Sequence, residues 1–109
     1  MLHRIQTYHE ELAVSARQSE AFYEAKVEQI NSAIEALRTV QAEGKKFQLN
    51  DSTADEFFLA FFRAESELEY VRSKLTEQQN RYARIAYEHE CEALSLEQDA
   101  EDASYEGAF

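Results

Sequence analysis

The chain has no proline and only two glycines in 109 residues, so few positions oblige a helix to stop. That scarcity of breakers, in a length suited to one domain, points to an all-α protein. A single cysteine, Cys91, excludes an intramolecular disulfide and fits a reducing compartment. Positive charge is also scarce: 11 Lys and Arg stand against 22 Asp and Glu, for a net charge of −11. Nucleic acid and anionic membrane are thereby disfavoured as direct partners, and a basic protein surface suits the chain better. The longest apolar run, Phe57-Phe58-Leu59-Ala60-Phe61-Phe62, has six residues, far short of a bilayer span, and Met1-Leu2-His3-Arg4 leads into no signal-peptide core. The expectation is a soluble, cytoplasmic protein. A composition that is 44% hydrophobic and 12% aromatic supplies material for a core and argues against wholesale disorder.

What is present is helical periodicity. From Leu2 to Glu43 apolar residues recur mostly three or four apart, at Leu2, Ile5, Leu12, Ala16, Tyr23, Ile30, Ala33, Leu37 and Val40. Thr7 with Glu10 fits a capping box, although the stripe begins earlier. Gly44 suits a left-handed cap, and Lys45 and Lys46 lie where the negative end of the helix dipole favours cations. A second capping box, Thr53 with Glu56, opens a stripe through Phe57, Phe61, Ala64, Leu68, Val71, Leu75, Gln78, Tyr82, Ile85, His89, Glu92 and Leu96. The spacing predicts helices over about 3–43 and about 54–98, a connection over 44–53 and a flexible acidic tail over 99–109.

Antiparallel pairing of the two stripes requires partner numbers with a nearly constant total. Val40 with Phe57, Leu37 with Phe61, Ala33 with Ala64, Ile30 with Leu68, Tyr23 with Leu75, Ala16 with Tyr82 and Leu12 with Ile85 each total 97 or 98. The same rule sets His9 opposite His89 and Lys26 opposite Val71. The expected fold is therefore a long antiparallel two-helix coiled-coil hairpin. Each helix would span about 60 Å at 1.5 Å per residue, too slender a pair to close a core alone. Val27, Ile34, Phe58 and Phe62 are expected beside the seam as an apolar flank, onto which a second hairpin would dock. A two-fold homodimer completing a four-helix bundle is the expected assembly.

No catalytic pattern accompanies this fold. His9 and His89 face each other among Glu10, Glu88 and Glu90, yet no Glu-x-x-His or His-Glu-x-x-His spacing is present. The layer reads as polar and hydrated, with a pH-sensitive pair as the sharper alternative, and no metal or cofactor is expected. Serines lack a suitably placed base, and Glu90 and Glu92 beside Cys91 make it a poor nucleophile. Polar seam positions Ser19, Lys26 and Gln78 cost stability and favour one register.

Charge is distributed unevenly: residues 1–43 carry −3, residues 44–84 carry 0 and residues 85–109 carry −8. Two uses of that acidity are expected. In one, residues 99–109 form a docking peptide with Tyr105 and Phe109 as anchors; this stretch is similar to the acidic, Phe-terminated tails of bacterial single-stranded-DNA-binding proteins. In the other, Glu88, Glu90, Glu92, Glu97, Asp99, Glu101 and Asp102 mimic the charge spacing of nucleic acid. The leading functional expectation is a non-enzymatic adaptor, assembly factor or chaperone. The alternative is an acidic nucleic-acid-mimicking inhibitor or regulator of the phage anti-defence type, bound to a basic protein surface. Hairpins of this size serve as secretion chaperones and phage assembly factors, an analogy of fold only.

Overall fold

The computed structural model describes residues 2–44 and 51–107, with side chains described at 2–44 and 53–99. Among the described residues there are two helices and no strand: α1 over Leu2–Gly44 and α2 over Asp51–Gly107, packed against each other as a hairpin. Residues 45–50 of the expected connection lie outside the described residues.

The helix ends differ from the periodicity. Helix α1 starts at Leu2, and Thr7 is inside it: the Thr7 hydroxyl donates to the His3 carbonyl at 3.0 Å, while Glu10 accepts from Gln6 Nε2 at 3.2 Å. A hydroxyl bonded back one turn is not a cap. Helix α2 starts at Asp51 and continues to Gly107 instead of ending near 98. No breaker precedes Gly107, and Ala, Glu and Gln sustain a helix well, so the stretch expected as a flexible tail is helical as far as that glycine.

The packing divides into two compact units. One joins residues up to Phe22 with those from Gln78 onward, and the other spans Tyr23–Glu77. In the first, Ala13, Ala16, Ala86 and Ala93 are buried, so small side chains bring the two backbones close. In the second, Ile34 is the largest fully buried side chain at 2% exposure, and full burial of such a chain contributes about 1.5–3 kcal/mol. Phe57 packs on Phe58 and Phe61 at ring-centroid distances of 5.4 and 4.7 Å.

Burial shows which columns of each helix turn inward. On α1 the column His9, Ala16, Tyr23, Ile30, Leu37 is inside, as expected from the stripe. The adjacent column Ala13, Glu20, Val27, Ile34, Gln41 is also inward, with Ala13 and Ile34 its buried members, whereas of the expected companion Leu12 and Ala33 are half-buried and Val40 is exposed. On α2 the column Phe61, Leu68, Leu75, Tyr82, His89, Leu96 is kept. Beside it Phe58, Glu65, Arg72 and Gln79 are half-buried and Ala86 and Ala93 buried, while of the expected companion Phe57, Ala64, Gln78 and Ile85 are half-buried too and Val71 and Glu92 are exposed. The deepest burial on both helices is thus turned toward the adjacent column in the same sense, by about half of one residue's step. Charged residues brought to the seam remain half-buried and reach outward: Glu65 accepts from Arg38 Nε at 2.7 Å, and Arg72 donates to Asn31 at 2.9 Å.

Gly44 is buried and does not adopt the left-handed conformation, since no described residue has a positive φ. Its role is space. A methyl group on Gly44 would overlap the Phe57 ring at Cζ and Cε1 and lie 3.3 Å from Cε2. Helix propensity favours Gly44→Ala by about 1 kcal/mol, whereas overpacking costs about 1–3 kcal/mol. Overpacking wins here because the obstacle is the tip of a ring that packs on two other rings. Gly44→Ala is expected to lower the denaturant midpoint, and Gly44→Ala with Phe57→Leu to recover most of the loss; a midpoint raised by Gly44→Ala alone would contradict the packing.

Candidate interaction surface

Within the Tyr23–Glu77 unit part of the expected flank is turned inward and part of the expected seam is open. Ile34 is in the core and Val27 and Phe58 are half-buried, so three of the four residues expected to form a docking face occupy the seam. Phe62 alone of the four is open, at 67% exposure, with Leu59 near it at 48%. Conversely, Ala33, Val40, Ala64 and Val71, expected inside, line an open groove of about 630 Å³ together with Ala36, Leu37, Glu67 and Leu68. Val40 and Val71 are 53% and 42% exposed there. Glu67 is the one charged residue in this lining. The groove residues were missed because single-helix periodicity cannot choose between adjacent apolar columns. The signal that marks them is the width of that face, three columns on each helix.

The other unit is built around polar contacts. Nδ1 of His9 and Nδ1 of His89 lie 2.9 Å apart, with ring centroids 5.1 Å apart, which is the facing arrangement expected from the register. One ring must donate and the other accept, and Tyr8 packs edge-on against His9 at 5.6 Å. Tyr87, Glu88, Cys91 and Glu92 surround the pair. Arg17 donates from Nε and Nη2 to the two oxygens of Glu90 at 2.8 and 2.9 Å, and from Nη1 to Glu20 at 2.6 Å. The hydrogen bonds to Glu90 and then Glu20 raise the pKa of Arg17, and the hydrogen bond from Arg17 lowers that of Glu90. Tyr87 is pushed up, chiefly by its hydrogen bond with Cys91. Among the described residues no group of three or more His, Cys, Asp or Glu is placed to hold a metal ion. No described helix is long and apolar enough to cross a membrane.

The acidic candidates divide. Glu88, Glu92, Glu97 and Asp99 are exposed on α2, whereas Glu90 is half-buried and engaged with Arg17. The side chains of Glu101, Asp102 and Tyr105, and Phe109 as a whole, lie outside the described residues. A second groove in this unit, about 730 Å³, runs between Val14 and Leu94 over Ala13 and Ala93, with Glu10, Arg17 and Glu90 in its lining. No family model matches the chain, and no curated protein or solved structure matches it either.

Two effects follow from this geometry. His9→Leu leaves the His89 ring without its hydrogen-bond partner, so the variant should melt below the wild type; an unchanged melting temperature by circular dichroism would remove the pair from the stability of this end. Because the Glu90 pKa is lowered, the ion pair stabilises fully above the ordinary carboxylate range and loses its effect as pH falls through that lowered value. Glu90→Gln should therefore flatten the acid limb of the stability curve slightly, and its difference from wild type should shrink in about 1 M salt.

Proposed function

We propose that the chain is a non-enzymatic interaction protein, an adaptor, assembly factor or chaperone, that offers the apolar groove of its Tyr23–Glu77 unit to a further pair of helices and so completes a four-helix bundle. The observation that carries this reading is the groove in which Ala33 and Ala64 are half-buried and Val40 and Val71 exposed alongside the filled seam. A groove whose lining is almost wholly apolar and is formed by two packed helices is costly to leave in water, and further helices are a common way to cover such a face. Phe62, on the other flank, adds a second apolar contact.

A second reading is favoured by a separate observation. Helix α2 continues to Gly107, so the acids from Glu88 onward follow the regular rise of a helix, about 1.5 Å per residue. A high density of negative charge along one helix supports mimicry of a nucleic acid on a basic protein surface. It does not use the groove.

Val40→Glu with Val71→Glu is expected to keep the helical circular dichroism of the wild type, because both positions are exposed, and to abolish capture of the cellular partner. Deleting residues 99–109 is expected to leave that capture intact. The opposite result, with heparin displacing the partner, would replace the first reading by the second.

A further inference from the structure

We propose that the occupant of the groove is a second copy of this chain, with the two Tyr23–Glu77 units stacked face to face and inverted about the level of Ala33 and Ala64, so that Lys26 of one copy meets Glu43 of the other. This deepens the interaction reading above and rests on it.

The groove lining has Val40 toward one end and Val71 toward the other, on either side of Ala33 and Ala64, and Lys26 and Phe57 continue the two columns beyond it. On α1, Lys26 stands seven residues before Ala33 and Val40 seven after it; on α2, Phe57 and Val71 stand seven on either side of Ala64. Inversion therefore lays Ala33 on Ala33 and Ala64 on Ala64, where small side chains permit close approach. It sets the larger residues on one another, Val40 on the stem of Lys26 and Phe57 on Val71. Charge chooses the direction. Glu43 lies three residues beyond Val40 at one end, and Lys26 lies at the other. Inversion brings unlike charges together at both ends, whereas stacking in the same direction gathers both glutamates at one end and both lysines at the other.

The net charge of the units agrees with this choice. The Tyr23–Glu77 unit has seven Lys and Arg and eleven Asp and Glu, for −4, while the remaining residues have four and eleven, for −7. Pairing through the former brings together the less acidic surfaces. The area suffices too. Helical segments of about 22 residues, lying side by side, present a face of about 33 by 20 Å, so two copies would bury about 1,300 Å² in total, within the range of stable interfaces.

Sedimentation equilibrium of the full chain tests the proposal. Lys26→Glu and Glu43→Lys are each expected to raise the dimer dissociation constant about tenfold, and the double reversal to restore it. Both residues also interact within their own chain, so single reversals read more than the dimer. The rescue does not have that ambiguity, because the two lie 17 residues apart on α1, about 25 Å, beyond reach within one chain. In a Cys91→Ser background, Ala33→Cys should also form a disulfide with the same position of the second copy on mild oxidation. A monomer at every concentration, a double reversal no tighter than the single ones, or linkage of position 33 only to a cysteine at position 64 would each overturn the inversion. A monomer that still loses a partner with Val40→Glu and Val71→Glu would do so while leaving the interaction reading in place.

Discussion

A seam between two helices accepts two columns of side chains from each, and this chain brings three. On α1 the three are the columns of Ala33, Leu37 and Ile34; on α2 they are those of Ala64, Leu68 and Glu65, the last of which includes Phe58 and Ala86. Packing selects the pair that fills space best, with Ile34 fully enclosed and the alanines at 13, 86 and 93 allowing close approach. In the Tyr23–Glu77 unit the third column is only half-covered at Ala33 and Ala64 and open at Val40 and Val71. The groove there is thus what the packing choice leaves over.

The two units use the seam differently. Around Ile34, Phe58 and Phe61 the contacts are large and apolar, and Gly44 is kept bare so that Phe57 can lie against the helix. In the unit containing both His9 and His89, the buried residues are alanines, and specificity comes from hydrogen bonds: imidazole to imidazole, and one guanidinium forked onto Glu90. Apolar contacts hold over a broad pH range, whereas the polar ones depend on protonation state. Stability in the unit containing the Arg17–Glu90 pair is therefore tied to solution conditions more closely than in the Tyr23–Glu77 unit.

Much of this architecture was legible in the amino-acid order. The scarcity of breakers and the heptad steps from Phe57 onward specified two helices, and the constant pair totals placed His9 against His89 as the structure does. The roll of each helix was not legible. Ala33 and Ile34, or Phe57 and Phe58, are neighbours of similar character, and which one turns inward depends on how the facing helix fills the gap. That is why Ile34 was expected on a flank and Val40 in the seam, with the opposite outcome. Gly44 misled for a related reason: a glycine at a helix end signals a turn, and here the relevant fact was a ring 13 residues further along the chain. The end of α2 was misjudged because charge density was read as disorder where the local propensities still favour helix.

The imidazole contact carries an asymmetry that its near-mirror placement conceals. When both rings are neutral, the one giving its Nδ1 hydrogen has a bare Nε2, while the one receiving it must carry its own hydrogen on Nε2. Two chemically identical side chains thus present opposite outer atoms to their surroundings, one a base and one a donor. Moving the shared hydrogen across 2.9 Å interchanges those characters only if the outer hydrogen moves as well.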